Sequence, residues 1–447
     1  MDQIFKAYDI RGKVGTELTP DLCIRVGRAT AAWLPAEGAV AVGRDMRPDS
    51  AELAEAVISG LRAGGRDVID IGQVTTDMLY FAIGHLNLAG GAVVTASHNS
   101  GEYNGIKIYR DKVTPVGLDT GLAEIRDLAL ANRFSSATKE GARTSEDITS
   151  AWVAHALSFV DAAQWPTYHV AIDTGNGMAG AILPRVLAQL PLKTERLFFE
   201  LDGSFPNHEA NPQNPENLTD LIRVIREKHC DFGIAFDGDG DRAALVDDLG
   251  RPVQGSDMIT LISEAVLRKQ PGSEIVHDVR TSRSTQEFIR KWGGTPIRTK
   301  AGRVSIGKVV RERGAPFGGE TTGHLFFKDN YDADSGLIAA LMAIQALSET
   351  GRKLSEVIDE YRTYAMITET NFSVVNPRVT LEALTREFAD GKQDMLDGLT
   401  VNYNDSWFNV RASNTEPVVR LNAEATTQEV LDILVAHVTE VIEQGKK

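Results

Sequence analysis

Gly38–Asp45, Ser50–Gly65 and Arg66–Gly72 read GAVAVGRD, SAELAEAVISGLRAGG and RDVIDIG, and their succession decides the fold. A β-rich run, a segment with helical spacing and a second β-rich run follow one another, which is the βαβ grammar of an α/β protein. Working outward, the same grammar returns in YHVAIDTGNGMAGAILPRVLAQL, Tyr168–Leu190. It returns again in EIVHDVRTSRSTQEFIRKWGG, Glu274–Gly294, with the helix DADSGLIAALMAIQALSE beyond it. The tail differs. MITETNFSV, WFNVRAS and EPVVRLNAEA read as strands, with TLEALTREFAD and the last stretch as helices, so the end of the chain is expected to be an α+β module. The expected fold class is therefore α/β: three related α/β domains, residues 1–140, 141–247 and 248–360, followed by an α+β domain over 361–447.

Composition agrees with several domains. A chain of 447 residues with 42% hydrophobic content exceeds one core on a prior of roughly 100 to 200 residues per domain. No apolar run approaches the roughly 18 residues of a membrane span. The start, MDQIFKAYDIRGK, lacks the basic-then-apolar build of a secretion signal, so a cytoplasmic location is the expectation. Cys23 and Cys230 are the only cysteines, too far apart in sequence for a thiolate metal motif. A net charge of −15 argues against nucleic acid, whose phosphates demand a concentrated basic surface. An anionic small molecule remains compatible if a few cations gather locally.

Four loops carry the chemistry. AGGAVV runs as a buried strand into TASHNSGEYNGIKIY, Thr95–Tyr109, which places Ser97 near a strand's carboxyl end, the edge where α/β sheets bind ligands. In CDFGIAFDGDGDRAALVDD, two strands flank Asp237, Asp239 and Asp241. Alternating carboxylates separated by glycines can converge on one hard cation through oxygen. An EF-hand would need glycine where Arg242 stands. Mg²⁺ tends to combine one or two carboxylates with a phosphate oxygen, so such a loop calls for a phosphate nearby. If Ser97 carries it, Ser97 is a further ligand. Near the end, WFNVRASNTEPVVRLNAEA offers Arg411, Ser413, Asn414, Thr415 and Arg420 as a phosphate cradle. FGGETTGHLFF sets Glu320, Thr322 and His324 in a glycine-flanked loop suited to sugar hydroxyls. GNGMAG, Gly175–Gly180, matches the spacing of a dinucleotide loop. Glycines at a strand-to-helix turn also serve packing alone, and that reading is preferred.

YDIRG, TASHN with YNGIK, DGDGDR, GGETTGH and RASNTEP occur here in the order of the α-D-phosphohexomutases, the phosphomannomutase and phosphoglucomutase family, which the chain resembles over nearly its whole length. The resemblance implies four domains around a central active-site cleft. It implies a phosphoserine at Ser97, Mg²⁺ on Asp237, Asp239 and Asp241, and sugar recognition by the Glu320–His324 loop. Phosphate is expected at Arg411, Ser413, Asn414, Thr415 and Arg420. Arg11, Lys107 and Arg242 match basic residues of the reaction centre, and Arg280 a basic position in the third domain. The implied reaction interconverts hexose 1-phosphate and hexose 6-phosphate, mannose first and glucose second, through a 1,6-bisphosphate that also serves as activator. One small sugar phosphate is then the partner, with no nucleic acid and no membrane.

Three positions depart from the family pattern. Ser100 replaces the usual proline, Arg303 stands where histidine is common, and GETTGH replaces GEMSG. Arginine does not readily release a proton. Arg303 is thus expected to bind phosphate, and the acid and base candidates become His98 and Lys107. Two other readings are a metal-dependent phosphatase, which would release phosphate to water, and a phosphosugar sensor without turnover. A dehydrogenase reading of GNGMAG would require nicotinamide binding.

Overall fold

A computed structural model of the chain describes residues 2–35, 37–134, 137–413 and 417–444. The chain forms two compact units, Met1–Val253 with Thr322–Ser355, and Gln254–Thr321 with Glu356–Lys447. The α/β expectation holds in both.

The first sheet contains β1 (Ile10–Lys13), β2 (Val40–Arg44), β3 (Val68–Gln73), β4 (Gly90–Val94), β5 (Tyr103–Arg110), β6 (Thr114–Pro115) and β7 (Arg143–Ser145). Its order is β1-β5-β4-β2-β3-β7, with β6 beside β5. β2 runs parallel to β3 and β4, as the opening stretch requires. β5 returns antiparallel to β4 and also pairs antiparallel with β1, so the sheet is mixed. Helices α1 (Pro20–Trp33) and α2 (Ser50–Ala63) pack together over it. Thr19 caps α1 through Leu22 N, with Pro20 at the first turn. Leu53, Val57 and Leu61 recur at helical spacing on the buried side of α2.

A second sheet holds β8 (Tyr168–Asp173), β9 (Leu192–Leu197), β10 (Phe232–Phe236) and β11 (Ala243–Asp247) in the order β11-β10-β8-β9. β10 and β11 form the antiparallel hairpin anticipated around the acidic loop. Two glycines of GNGMAG, Gly177 and Gly180, are required by packing, and Gly175 takes φ +52°. A Cβ on Gly177 would come 2.9 Å from the Gly238 carbonyl oxygen, and one on Gly180 would come 2.2 Å from that of Phe199. The second segment of this unit supplies the buried helix Gly336–Thr350, capped by Ser335.

In the other unit, strand Glu274–Asp278 lies parallel to Thr295–Thr299 and Phe317–Gly319. Antiparallel strands Leu399–Asn402, Ser406–Ala412 and Val418–Ala425 carry the tail. Helices Pro377–Glu387 and Gln428–Gln444 bury its core through Leu384, Leu431 and Val438. Glu424, buried, accepts from Ser282 Oγ, Arg283 N and Trp407 Nε1, and so ties this module to the preceding segment. Among the described residues no helix is long and apolar enough to cross a membrane.

Candidate active site

β4 is buried along its whole length and ends at Val94; three residues on, Ser97 is 4% exposed with φ +53°. The left-handed region costs a residue with a Cβ about 1–2 kcal/mol, so the surroundings must impose it. They do so from both sides. Ser97 N donates to Thr95 Oγ1 at 2.9 Å, and the Ser97 carbonyl abuts Gly238, where a Cβ would lie 2.4 Å from that oxygen. Only glycine at 238 lets the serine loop and the acidic loop meet this closely. The Ser97 hydroxyl then donates to Asp237 Oδ2 at 3.0 Å.

Asp237, Asp239 and Asp241 are fully buried, and one carboxylate oxygen from each lies within 4.8 Å of the other two. Lys107, on β5, places Nζ 2.6 Å from Asp239 Oδ2 and 2.8 Å from Asp241 Oδ2. Arg242 Nε lies 2.9 Å from Asp237 Oδ2. Three carboxylates thus face two cations. Burial pushes the Asp237 carboxyl well up, and the charges on Asp241 and Asp239 add to the rise. Burial acts on Asp239 in the same sense, but Lys107 and the Thr76 hydroxyl overcome it and leave Asp239 low. Asp239 Oδ1 is buried without a hydrogen-bond partner. An orphaned buried oxygen between like charges is what a divalent cation would satisfy, so the residues fit a metal.

Arg242 Nη2 also donates to His98 Nδ1 at 2.6 Å, while that nitrogen stands 3.3 Å from Ser97 Oγ. Burial and the nearby Arg242 and Arg11 push His98 down to about 3. Arg11, on β1, donates to Asn99 Oδ1 at 2.5 Å and pairs with Asp9. The structure therefore brings Ser97, His98, Arg11, Lys107, Arg242 and the three aspartates together.

His324 joins this group. Its Nδ1 lies 2.6 Å from Asp334 Oδ2 and 3.9 Å from Asp241 Oδ1. Thr322 belongs to the same unit, whereas Glu320 belongs to the other. No motif singles out Thr76, which donates to the main chain and side chain of Asp239 at 2.9 and 2.5 Å. Nor does one single out Asp77, which accepts from Thr75 and Ser335. Burial pushes Asp77 up to about 7; Asp241 and Asp334 add to this, while the hydrogen bonds from Ser335 and Thr75 oppose it. Their signal was the cluster Thr75-Thr76-Asp77 opening a helix after β3, a capping pattern that turned out to face the acidic loop.

In the second unit, Arg280 donates to Asp278 and Glu320, both at 2.8 Å. Gly302 N donates to Glu320 at 3.1 Å, and Arg303 begins the next helix. Glu369, missed from the sequence, gathers three guanidiniums: Arg411 at 2.8 Å, Arg420 at 3.9 Å and Arg280 at 4.0 Å. Burial would raise Glu369, but Arg411 and its other donors hold it low. Ser413 closes its strand by donating N–H to Val418 O. Asn414 and Thr415 lie outside the described residues.

Four family models match consecutive stretches of the chain. Three are phosphoglucomutase/phosphomannomutase alpha/beta/alpha domains I, II and III, at residues 2–135, 150–250 and 254–364; the fourth is the C-terminal domain, at 369–441. A protein of Xanthomonas campestris pv. campestris named phosphohexose mutases is 39% identical over 442 residues, covering 96% of this chain and 98% of its own. The phosphomannomutase/phosphoglucomutase of Pseudomonas aeruginosa is 36% identical over 450 residues, covering 96% and 93%. A crystal structure of a phosphoglucomutase/phosphomannomutase family protein from Burkholderia thailandensis superposes with a TM-score of 0.92 at 32% identity, covering 100% of this chain and 98% of that one.

Proposed function

Because the chain belongs to the phosphoglucomutase/phosphomannomutase family, we infer that it is a phosphohexomutase, interconverting hexose 1-phosphate and hexose 6-phosphate through a phosphoserine at Ser97. The observation that carries this reading is the Ser97 hydroxyl, held in a strained backbone 3.0 Å from a buried triple of carboxylates. Asp237, Asp239 and Asp241 would hold Mg²⁺, joined by an oxygen of the Ser97 phosphate. When bound, the cation neutralises part of the phosphoryl charge and makes phosphorus the better electrophile.

The residues themselves supply positioning and charge, on which phosphoryl transfer chiefly depends. The bond between phosphorus and the Ser97 oxygen breaks as one to the free sugar hydroxyl forms, giving the hexose 1,6-bisphosphate. Lys107 stands as an ammonium against Asp239 and Asp241; we assign it to give a proton to the seryl oxygen as the bond to phosphorus breaks and to recover one from the attacking sugar hydroxyl, so that its charge is restored. Arg242 is neighbour to both Ser97's acceptor and His98 and balances the aspartates. After the intermediate turns over, its other phosphate returns to Ser97. We assign the hold on the non-reacting phosphate to Arg411, Arg420 and Arg280. A carboxylate drawn to Arg411, Arg420 and Arg280 marks a place where three guanidiniums welcome an anion. There Glu369 gives way to phosphate, with Ser413, Asn414 and Thr415 as further donors. Arg303 is assigned to phosphate, and Glu320, Thr322 and His324 to the sugar.

Mannose is the first substrate assigned and glucose the second, supported by relatives named for one or both sugars. Hexose 1,6-bisphosphate is the activator that charges Ser97, and the cytoplasm is the compartment we assign. The proposed domain limits near residues 140, 247 and 360 fall close to the junctions between the matched ranges. The test is a ³¹P NMR time course with mannose 1-phosphate, then glucose 1-phosphate, each with Mg²⁺ and a trace of the bisphosphate. Appearance of the 6-phosphate with wild type and its loss in Ser97→Ala are expected. Inorganic phosphate as the product would move the assignment to a phosphatase, and no change to a sensor.

A further inference from the structure

The loop bearing Ser97 is fastened by a residue to which neither the motifs nor the mechanism gives a role. Arg47 follows β2, with its side chain 1% exposed. Its Nη2 donates to the carbonyl oxygens of Ser97 at 3.0 Å and Asn99 at 2.6 Å; its Nη1 donates to those of Ser100 at 2.8 Å and Tyr103 at 2.9 Å. A guanidinium offers five N–H groups in one rigid plane. Four of them go to the main chain of a single loop. The remaining nitrogen, Nε, faces the buried Asp45 carboxylate at 3.2 Å.

This anchor is itself built in. Asp45 accepts from Arg47 N at 3.0 Å and from the Ser50 hydroxyl. Ser50 Oγ accepts in turn from Asn104 Nδ2 at 2.9 Å, next to the loop's far end. The guanidinium also lies 5.0 Å from the centre of the Phe205 ring. Between Thr95 and Lys107 the chain contains four residues of Gly or Asn type at 99, 101, 104 and 105, and no proline, so its covalent structure does little to stiffen it. Four carbonyl dipoles pointing at one spot repel each other unless a cation sits there.

We propose that Arg47 is a positioning residue for phosphoryl transfer: by capturing the carbonyls of Ser97, Asn99, Ser100 and Tyr103 it holds Ser97 in the left-handed conformation that aims its hydroxyl at Asp237. Its effect runs through the loop, not through the sugar phosphate. The inference rests on the mutase reading, since it names Ser97 as the group being aimed.

The experiment compares full-length wild type, Arg47→Ala and Arg47→Lys by steady-state conversion of mannose 1-phosphate and by hydrogen–deuterium exchange of peptides covering residues 95–104 and 237–242. Displacement of a reacting group by about 1 Å can cost on the order of 100-fold, and kcat of Arg47→Ala is expected to fall by at least about that much. KM should stay within about threefold, as for a residue acting only on the transition state. Exchange over 95–104 should accelerate, and millimolar guanidinium should restore part of kcat by filling the space left. Lysine, without the planar fork, should fall between the two. Unchanged kcat in both variants would overturn the proposal, as would unchanged exchange over 95–104 or a rise in KM with kcat retained. Failure of both variants to fold would also overturn it, by making Arg47 a determinant of the fold. If wild type itself shows no mutase turnover, the functional reading fails, while the exchange measurement still decides whether Arg47 anchors the loop.

Discussion

At the scale of single residues, His98 separates positioning from proton transfer. Arginine only donates, so its 2.6 Å contact makes His98 Nδ1 an acceptor and leaves the ring proton on Nε2. With burial and two neighbouring guanidiniums pushing the ring down to about 3, His98 stays neutral throughout the range in which a histidine ordinarily switches. The linkage has a definite sign. A histidine lowered in the fold takes up its proton more readily when unfolded, so its contribution is present above about pH 6.5 and is lost as pH falls toward 3. Loss of a true general acid or base costs about 10²- to 10⁴-fold. We expect His98→Asn, whose Oδ1 can take the place of Nδ1 as acceptor, to lose less than this and to keep the wild-type shape of kcat against pH. His98→Leu, which strands Arg242, should lose more. A pH limb that vanishes in His98→Asn would restore the histidine to proton transfer.

At the scale of elements, α1 and α2 meet closely over the first sheet. A Cβ on Gly60 would lie 2.1 Å from the Ile24 carbonyl oxygen, and one on Gly27 would lie 2.4 Å from that of Val57. Overpacking costs about 1–3 kcal/mol. Since 1 kcal/mol shifts Tm by about 2–4 °C in domains of 150–250 residues, Gly60→Ala should lower the melting temperature by roughly 2–12 °C. A melt unchanged by the substitution would mean that the helices separate freely. The same elements show what could be read in advance. The hairpin around Asp237–Asp241 was legible because strand, carboxylates and strand are contiguous. Ser97 was legible because a buried strand stops just before it. The antiparallel return of β5 onto β1 was hidden, since β1 is short and its partner lies ninety-odd residues away in the chain. Glu369 and Arg47, and what Thr76 and Asp77 face beyond their capping pattern, were hidden for a related reason. Each acts through partners remote in sequence, and composition does not announce which acid or guanidinium will be buried. The membership of Thr322–Ser355 in the first unit was equally invisible, because Ser335 reaches back to Asp77 only after folding.

At the scale of the whole molecule, a chain of net charge −15 buries carboxyls around one loop, and this makes its stability depend on pH and metal together. Burial raises Asp237, and burial again lifts Asp77 to about 7. A carboxyl raised by folding holds its proton more tightly in the folded state, so stability declines as pH climbs from the unfolded value near 4 to the folded value. For Asp77 that window runs from about pH 4 to about pH 7. In EDTA, these two groups should therefore draw the melting temperature down as pH rises toward neutrality. Mg²⁺ acts in the opposite sense on Asp237 alone, because it binds the ionised triple and competes with the proton. At 100 times its Kd a ligand adds about 2.7 kcal/mol, and the Mg²⁺-induced rise in Tm should grow with pH. Asp77 holds hydroxyls instead of the cation. Asp77→Asn should accordingly flatten the slope seen in EDTA while leaving the growth of the Mg²⁺ shift with pH intact. Differential scanning fluorimetry across this range, with EDTA and with Mg²⁺, measures both. A Mg²⁺ shift independent of pH would show that the cation is not displacing a proton from the aspartate triple, and would remove the buried loop from consideration as its site.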